Sequence, residues 1–287
     1  MMRGRGLRLS KWICKSKKCP LRGDKEICGD GGSGPIIISY HRVGEGEEEC
    51  YLRHVMLCWD EWNRISKRYL PSIQRVTRRV LSLNLKFEHL RRMCGLMILH
   101  HDIGKLSENY QTEDKNKRFY RHEMLSVHLL YEYMIRMMKE ETDLNEQVRE
   151  LLASIIAASV YLHHEALQLS HHHFEMRAPT YAYLLNLLTG REFLMVRKWK
   201  EIAMKLELWA LKTAHGYFTT ATKINGDKVA RTLASIMTLI DGHPKPLAIR
   251  LGISTLLQLL TIVDNRAALA RGGKLTRFTE CLGVLEI

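Results

Sequence analysis

The run His100-His101-Asp102-Ile103-Gly104-Lys105 combines residue types that could perform metal-assisted hydrolysis. A histidine followed directly by an aspartate offers a nitrogen ligand and an oxygen ligand from adjacent backbone positions. The glycine lets the chain turn, and the lysine after it supplies a positive charge. Hydrolysis of a phosphate ester needs a divalent ion, an activated water and a cation near the phosphate. A His-Asp pair is common by chance, so this prediction depends on further ligands elsewhere in the chain.

Further polar side chains stand at the ends or edges of apolar stripes with helical spacing. Asp264, for example, extends the stripe of Leu257 and Leu260. A buried, isolated carboxylate costs several kcal/mol unless it is paired or metal-bound, so Asp264 needs a cation. The candidate ligands of this kind are His54, His101, Asp102, His122, His163, His164 and Asp264.

Each candidate taken alone also has a simpler interpretation. A single histidine is more often a satisfied core or surface residue than a ligand. Asp264 could instead pair with Arg266 or Arg271, and His163-His164 could be a pair favoured by a helix C-terminus. Their joint occurrence, in the order His, His-Asp, His, His-His, Asp, favours a metal site.

The elements that must position these residues are predicted to be helices. Apolar residues recur at three- and four-residue spacing almost throughout the chain from Tyr51 onward, and only residues 36–40 have a plausible strand pattern. We therefore predict one all-α domain, a helical bundle over residues 36–275, followed by a C-terminal tail over residues 276–287. We expect helix boundaries at the prolines between periodic stretches, which are Pro71, Pro179, Pro244 and Pro246.

Composition indicates an ordinary globular protein with a polyanionic partner. The chain has 287 residues, is 46% hydrophobic and carries a formal net charge of +13, which is typical of proteins that bind nucleic acid. No glycine-rich phosphate loop of the ATPase type is present. No apolar run approaches the roughly 20 residues that span a membrane. Seven scattered cysteines fit a reducing interior, so we expect a cytoplasmic protein without a membrane partner.

Residues 1–35 differ from the rest of the chain. They contain nine Lys or Arg against three acidic residues, and seven of the 19 glycines. This composition predicts a flexible basic arm. Cys14, Cys19 and Cys28 lack the usual spacing of a zinc site, so loose thiols are the favoured interpretation there.

The ligand series resembles that of the HD-superfamily metal phosphohydrolases. More narrowly, the chain is similar to the HD nuclease of type I CRISPR systems in its stand-alone, double-prime form. The resemblance covers roughly residues 36–275. The local matches are Tyr51-Leu52-Arg53-His54, the His101 to Lys105 run with Tyr110-Gln111 after it, Arg121-His122-Glu123 with Ser126, and Asp264-Asn265-Arg266-Ala267. A departure is Glu165-Ala166 after the histidine pair, where the family commonly has a small glycine.

The resemblance implies an HD-domain bundle with two buried divalent metal ions bridged by Asp102. His54, His101 and Asp264 would complete one site, and the other would be completed by His122, His163 and His164. The nitrogen-rich ligand set favours Mn, Fe, Co, Ni or Zn, with Mg also possible.

Two residues beside the ligands receive supporting roles. Lys105 would hold the scissile phosphate or its developing charge, and the alternative is a solvated lysine after a helix end. Ser126 would support a ligand or merely pack.

The function implied by the resemblance is cleavage of single-stranded DNA, and of RNA as a further substrate, by phosphodiester hydrolysis. Unwinding would come from a separate CRISPR helicase chain, and a crRNA-guided surveillance complex would expose the displaced strand. The first alternative is an HD phosphohydrolase that acts on nucleotides, for which the basic arm would be unnecessary. The second is a non-catalytic nucleic-acid-binding subunit, against which the complete ligand series argues.

Other histidines are weaker candidates. The run His171-His172-His173 is predicted to lie in a solvated loop. His100 is expected to point to a different helix face from His101, and His41 could approach the site from the segment before the first helix.

Overall fold

The protein is a bundle of α-helices with two small β-ribbons. The computed structural model describes residues 19–22, 24–28, 37–41, 48–79, 81–112, 121–168, 186–219 and 221–270. The helices are α1 (Lys25–Cys28), α2 (Tyr51–Arg79), α3 (Phe87–His100), α4 (Glu108–Gln111), α5 (His122–Glu141), α6 (Glu146–Gln168), α7 (Trp199–Leu211), α8 (Gly226–Asp241) and α9 (Pro246–Ala270). The prediction of an all-α fold is confirmed.

Five helices form the centre of the bundle. α9 packs against both α2 and α6, α6 packs against α5, and α2 packs against α3. Their apolar faces close one continuous core that includes Trp62, Leu96, Leu130, Val160 and Val263. This packing brings the start of α2, the end of α3, the start of α5 and the last turns of α6 and α9 to a common region.

Helix α9 is long and apolar enough to cross a membrane by length and composition, since its mean hydropathy reaches 1.7. This differs from the expectation that no stretch of the chain approaches such a length. Half of the apolar window is buried inside the protein, where α9 packs against α2 and α6. A core helix that is surrounded by other helices shows this composition as well.

The strands form two short antiparallel ribbons. β1 (Ile38–His41) pairs with β2 (Glu48–Cys50), and β3 (Glu192–Leu194) pairs with β4 (Lys223–Asn225). The strand expected over residues 36–40 is therefore present, but the others were not predicted. They are too short for an alternating pattern to stand out.

The boundary expected at Pro71 was wrong. Pro71 lies inside α2, which runs unbroken to Arg79. The proline removes one backbone hydrogen bond, but Leu70 and Ile73 on either side of it are buried in the core and hold the helix together. The boundary at Pro246 is confirmed, because α9 begins there, and Pro179 lies outside the described residues.

Part of the segment expected to be a flexible arm packs against the bundle. Within residues 1–35, Leu21 and Ile27 are 2% and 3% exposed and belong to the hydrophobic core. Asp24 lies 3.6 Å from the ammonium of Lys198 at the start of α7. The anchored portion therefore departs from the expected flexible arm, and residues 1–18 lie outside the described part of the chain, as does the tail.

Candidate metal centre

The His-Asp turn follows α3 directly. His100 is the last residue of the helix and His101 caps it, Asp102 leaves helical geometry, and a short 3-10 helix continues over Ile103–Leu106. The apolar face of α3 is fully buried, so it carries His101 and Asp102 into the interior, where they are 0% and 1% exposed.

The turn is fastened to the start of α5 by a close backbone approach. A Cβ atom on Gly104 would lie 2.1 Å from the carbonyl oxygen of His122, so no larger residue fits at this position. The Gly104 amide also donates a 2.9 Å hydrogen bond to Ser126 Oγ. Ser126 thus holds the His-Asp turn against α5.

The strand β1 lies on the other side of this turn. Gln111 Nε2 donates to the carbonyl oxygens of Lys105 at 2.7 Å and Ile38 at 2.9 Å. The Tyr110 hydroxyl donates to the Ser39 carbonyl at 3.0 Å. These bonds position Ser39 Oγ 3.3 Å from the Lys105 ammonium.

Asp102 is the centre of the site, and each of its carboxylate oxygens faces a different pair of histidines. Oδ2 lies 3.4 Å from His54 Nε2 and 3.5 Å from His101 Nε2. Oδ1 lies 3.0 Å from His122 Nε2 and 3.7 Å from His163 Nε2. Four helix ends therefore converge on one carboxylate.

The other carboxylate and the lysine complete the cluster. Asp264 Oδ1, from α9, lies 3.1 Å from His54 Nε2 and 4.0 Å from His101 Nε2. The Lys105 ammonium lies 2.6 Å from Asp102 Oδ2 and the residue is only 7% exposed. The alternative of a solvated Lys105 is wrong, since the side chain is buried.

Two histidines are oriented by backbone carbonyls. His101 Nδ1 lies 2.8 Å from the Ile98 carbonyl, and His163 Nδ1 lies 2.5 Å from the Val160 carbonyl. A carbonyl only accepts, so Nδ1 carries the proton in both rings and donates it, and Nε2 faces Asp102. Metal-binding histidines commonly have this arrangement.

Electrostatics favour ionised carboxylates and a neutral His101, whereas neighbouring anionic groups outweigh burial at His54 and His163 and raise the pKa of both. Burial raises the pKa of Asp102, but Lys105 and the neighbouring imidazoles outweigh it and hold this pKa well below the usual range. Burial likewise opposes ionisation of Asp264, and the hydrogen bond from His54 lowers its pKa. Burial lowers the pKa of His101 to about 4. Ionised carboxylates and a neutral imidazole are the states that bind a divalent ion.

Arg266, one of the alternative partners of Asp264, contacts helix α2, and Arg271 lies outside the described residues. The Arg266 guanidinium donates a 2.7 Å hydrogen bond to Glu61 on α2. Glu61 also accepts from Arg64. This contact ties α9 to α2 and helps to keep Asp264 beside His54.

The structure brings six of the seven predicted ligands and Lys105 together. The seventh, His164, belongs to α6 by its backbone, but its side chain lies outside the described residues, as do His171, His172 and His173. His41 ends β1. As expected, His100 faces away from the site, and its Nε2 lies 3.0 Å from Glu207 of α7.

Two residues near the ligands were not predicted. Cys58 Sγ lies 3.7 Å from His54 Nε2, and the Glu123 carboxylate lies 3.5 Å from His122 Nδ1. Cys58 is four residues after His54, which is the spacing of neighbours on one helix face and could have revealed it. Glu123 follows His122 directly, and no spacing rule points to such a contact.

The chain belongs to the Cas3 HD domain family. The family described as "Cas3, HD domain" matches residues 53–241, which is more than half of the chain. The resemblance inferred from the ligand series is thereby confirmed, and HD domains bind divalent metal ions.

Two curated proteins and one solved structure are similar along most of the chain. A CRISPR-associated endonuclease Cas3-HD from Pyrococcus furiosus is 27% identical over 237 residues, which cover 80% of this chain and 93% of that protein. A protein of the same name from Methanocaldococcus jannaschii is 26% identical over 228 residues, or 78% and 87%. The solved CRISPR-associated Cas3 HD domain protein from Methanocaldococcus jannaschii aligns with a TM-score of 0.53 at 25% identity, over 72% of this chain and 92% of that one.

Proposed function

We propose that this protein is a metal-dependent nuclease that hydrolyses phosphodiester bonds of single-stranded DNA in CRISPR antiviral defence. The observation that carries the proposal is the Asp102 carboxylate, whose two oxygens face separate pairs of histidines. The names of the similar proteins support the endonuclease activity and the CRISPR setting. The net charge of +13 supports a polyanionic substrate.

The ligand geometry supports two ions that share Asp102. One would be held by His54, His101 and Asp264, and the other by His122, His163 and His164, with Asp102 common to both. His101 Nε2 is completely buried, and among the described residues it has no hydrogen-bond partner, which fits a ligand atom. A set rich in imidazoles suits Mn, Co, Ni or Fe better than Mg.

Two ions held by these residues would supply Lewis-acid chemistry at the phosphate and an activated water for the hydrolysis. The chain supplies the surroundings for this chemistry. Asp102 fixes the two ligand sets relative to each other, and the carbonyls of Ile98 and Val160 hold the rings of His101 and His163 in place. The Lys105 ammonium supplies positive charge for the developing negative charge of the phosphate.

The partners follow from the same proposal. In this proposal a separate helicase chain would unwind the duplex. A crRNA-guided surveillance complex would expose the displaced strand, and RNA is a further substrate to test.

The test is cleavage of single-stranded DNA in the presence of Mn, Co or Ni. A chelator should abolish this cleavage, and renewed addition of metal should restore it. Asp102→Ala should abolish cleavage, because it removes the residue shared by both ligand sets. Asp60→Ala is the matched control, since Asp60 is exposed on α2 and should leave cleavage unchanged. Absence of cleavage with every metal, or equal cleavage by Asp102→Ala, contradicts the proposal.

Two measurements separate the alternatives. If the substrate is a nucleotide, nucleotides should be turned over in preference to DNA when both are present. If the protein only binds nucleic acid, the purified chain should contain no tightly bound ion.

A further inference from the structure

A second donor stands beside His54 on α2. Cys58 comes one helical turn later, so the two side chains point from the same face of the helix. Its Sγ lies 3.7 Å from His54 Nε2, and the residues are 0% and 3% exposed. The sulfur therefore belongs to the interior of the centre and not to its rim.

The sulfur joins a four-donor group. One ligand atom each from His54, Cys58, His101 and Asp264 lies within 4.8 Å of all the others. Donors bound tetrahedrally to one ion, with bonds of about 2.0–2.3 Å, lie roughly 3.3–3.8 Å apart. The separation of 3.1 Å between His54 and Asp264 and that of 3.7 Å between His54 and Cys58 are close to these values.

An independent observation points to a ligand at this place. His101 Nε2 is wholly buried and, within the described ranges, accepts or donates no hydrogen bond. It faces the Oδ1 atom of Asp264 at 4.0 Å. A buried ring nitrogen in this state needs a cation or a donor, and His101 belongs to the same four-donor group as Cys58.

We propose that Cys58 is a thiolate ligand of the ion held by His54, His101 and Asp264. This inference rests on the proposed metal centre. It adds a sulfur ligand, and with it a metal preference, that is specific to this chain. On binding, the thiol proton leaves to solvent and the sulfur donates an electron pair to the ion. Burial raises the pKa of the metal-free Cys58 thiol, and coordination is what removes its proton.

A sulfur ligand makes the two halves of the centre chemically different. The half with His54 and Cys58 would favour softer ions such as Zn, Co or Fe, because thiolates select them over Mn and Mg. The half with His122 and His163 offers nitrogen and carboxylate oxygen among the described residues. The half with His54 and Cys58 would then discriminate between metal ions more strongly than the half with His122 and His163.

The experiment is Co(II) titration of the full chain followed by absorption spectroscopy. Visible d–d bands report binding to the centre, and a near-ultraviolet charge-transfer band reports a sulfur ligand. We expect both bands in the wild type, and loss of only the charge-transfer band in Cys58→Ser and Cys58→Ala. Cys94→Ser is the matched control, because Cys94 is also buried in the core but is not a member of the donor group.

Each outcome has one meaning. Wild-type d–d bands without a charge-transfer band mean that Cys58 only hydrogen-bonds to His54, which overturns this inference and leaves the metal centre standing. A charge-transfer band that persists in Cys58→Ala assigns the sulfur to another cysteine and also overturns it. No Co(II) binding at all contradicts the proposed function itself.

A second readout does not depend on the folding of a variant. X-ray absorption of the wild-type protein loaded with one equivalent of Zn should show a sulfur neighbour at about 2.3 Å. A shell of nitrogen and oxygen alone overturns the inference. In well-folded Cys58→Ser, affinity for Zn should fall at least about tenfold relative to affinity for Mn.

Discussion

His100 and His101 are adjacent and wholly buried, yet they lie in two regions with opposite chemistry. His100 points toward α7, where Glu207 lies 3.0 Å away and the rings of Tyr133 and Phe218 surround it. His101 points toward other imidazoles and two carboxylates, and its Nε2 has no hydrogen-bond partner among the described residues.

The difference shows how burial should be interpreted for a histidine. The Glu207 carboxylate accepts from His100 on one oxygen, and the backbone amide of His215 lies 3.3 Å from the other, so both carboxylate oxygens are used in structural contacts. Around His101, by contrast, the carboxylates of Asp102 and Asp264 each lie within 4.0 Å of the imidazoles of both His54 and His101. An atom without a partner does not by itself separate the two regions, because His100 Nδ1 is also buried without a hydrogen-bond partner among the described residues. The cluster of imidazoles and carboxylates around His101 is what marks the metal centre.

The largest effect is expected from exchanging the two histidines separately for glutamine. His101→Gln should lower metal affinity and cleavage more than about 100-fold, since even residues that only orient ligands contribute 10–100-fold. His100→Gln should keep the metal content, because glutamine still donates toward Glu207, and should lower the free energy of unfolding by about 1 kcal/mol. Metal analysis and denaturant unfolding of both variants check this, and equal metal loss in the two would refute the comparison.

The second largest effect concerns the His-Asp turn at Gly104, which packs against the start of α5. Gly104→Ala places a Cβ against the His122 carbonyl, at 2.1 Å, and should lower the free energy of unfolding by about 2–3 kcal/mol. It should also weaken metal binding, because Asp102 and His122 move apart. The matched control is Gly190→Ala, where nothing lies within 4 Å of the added atom; its φ of +68° strains the backbone but leaves the centre untouched, so metal binding should not change.

The smallest effect concerns His128, a buried histidine outside both regions. Burial lowers its pKa to about 4, and its Nδ1 lies 2.8 Å from Thr232 Oγ1. In the unfolded chain His128 has an ordinary pKa near 6.5, so below that pH it binds a proton more readily than in the folded protein. Its contribution to the free energy of unfolding is therefore complete above about pH 6.5 and is lost as the pH falls toward 4. This amounts to about 2 kcal/mol at pH 5.

Replacement by a residue that does not titrate tests this pH dependence. His128→Gln should lose less stability between pH 8 and pH 5 than the wild type, as measured by urea midpoints. An unchanged difference between the two pH values would show that His128 is not responsible.

Much of the centre could be predicted from the sequence because its ligands stand on strongly periodic helices. His54, His101 and Asp264 each extend an apolar stripe, so burial of the stripe carries the ligand inward. Pro71 misled the prediction, since packing of its neighbours outweighed a local preference. Cys58 was overlooked because cysteine is an ordinary core residue, and only its distance to His54 distinguishes it.

The packing of part of residues 1–35 against the bundle could not be predicted, for a different physical reason. The average composition of this segment is that of a solvated arm. Two of its apolar side chains, Leu21 and Ile27, are nevertheless buried in the core. Composition averages over a segment, whereas burial is decided by single side chains.

The position of Asp264 on the last described helix has a consequence for the timing of activity during synthesis. His54 is made early, but its carboxylate partner is added only when α9 has been translated. A chain that is still being made lacks one member of the centre, and the contact between α2 and α9 must close over nearly the whole domain. The centre is therefore complete only after α9 has been translated.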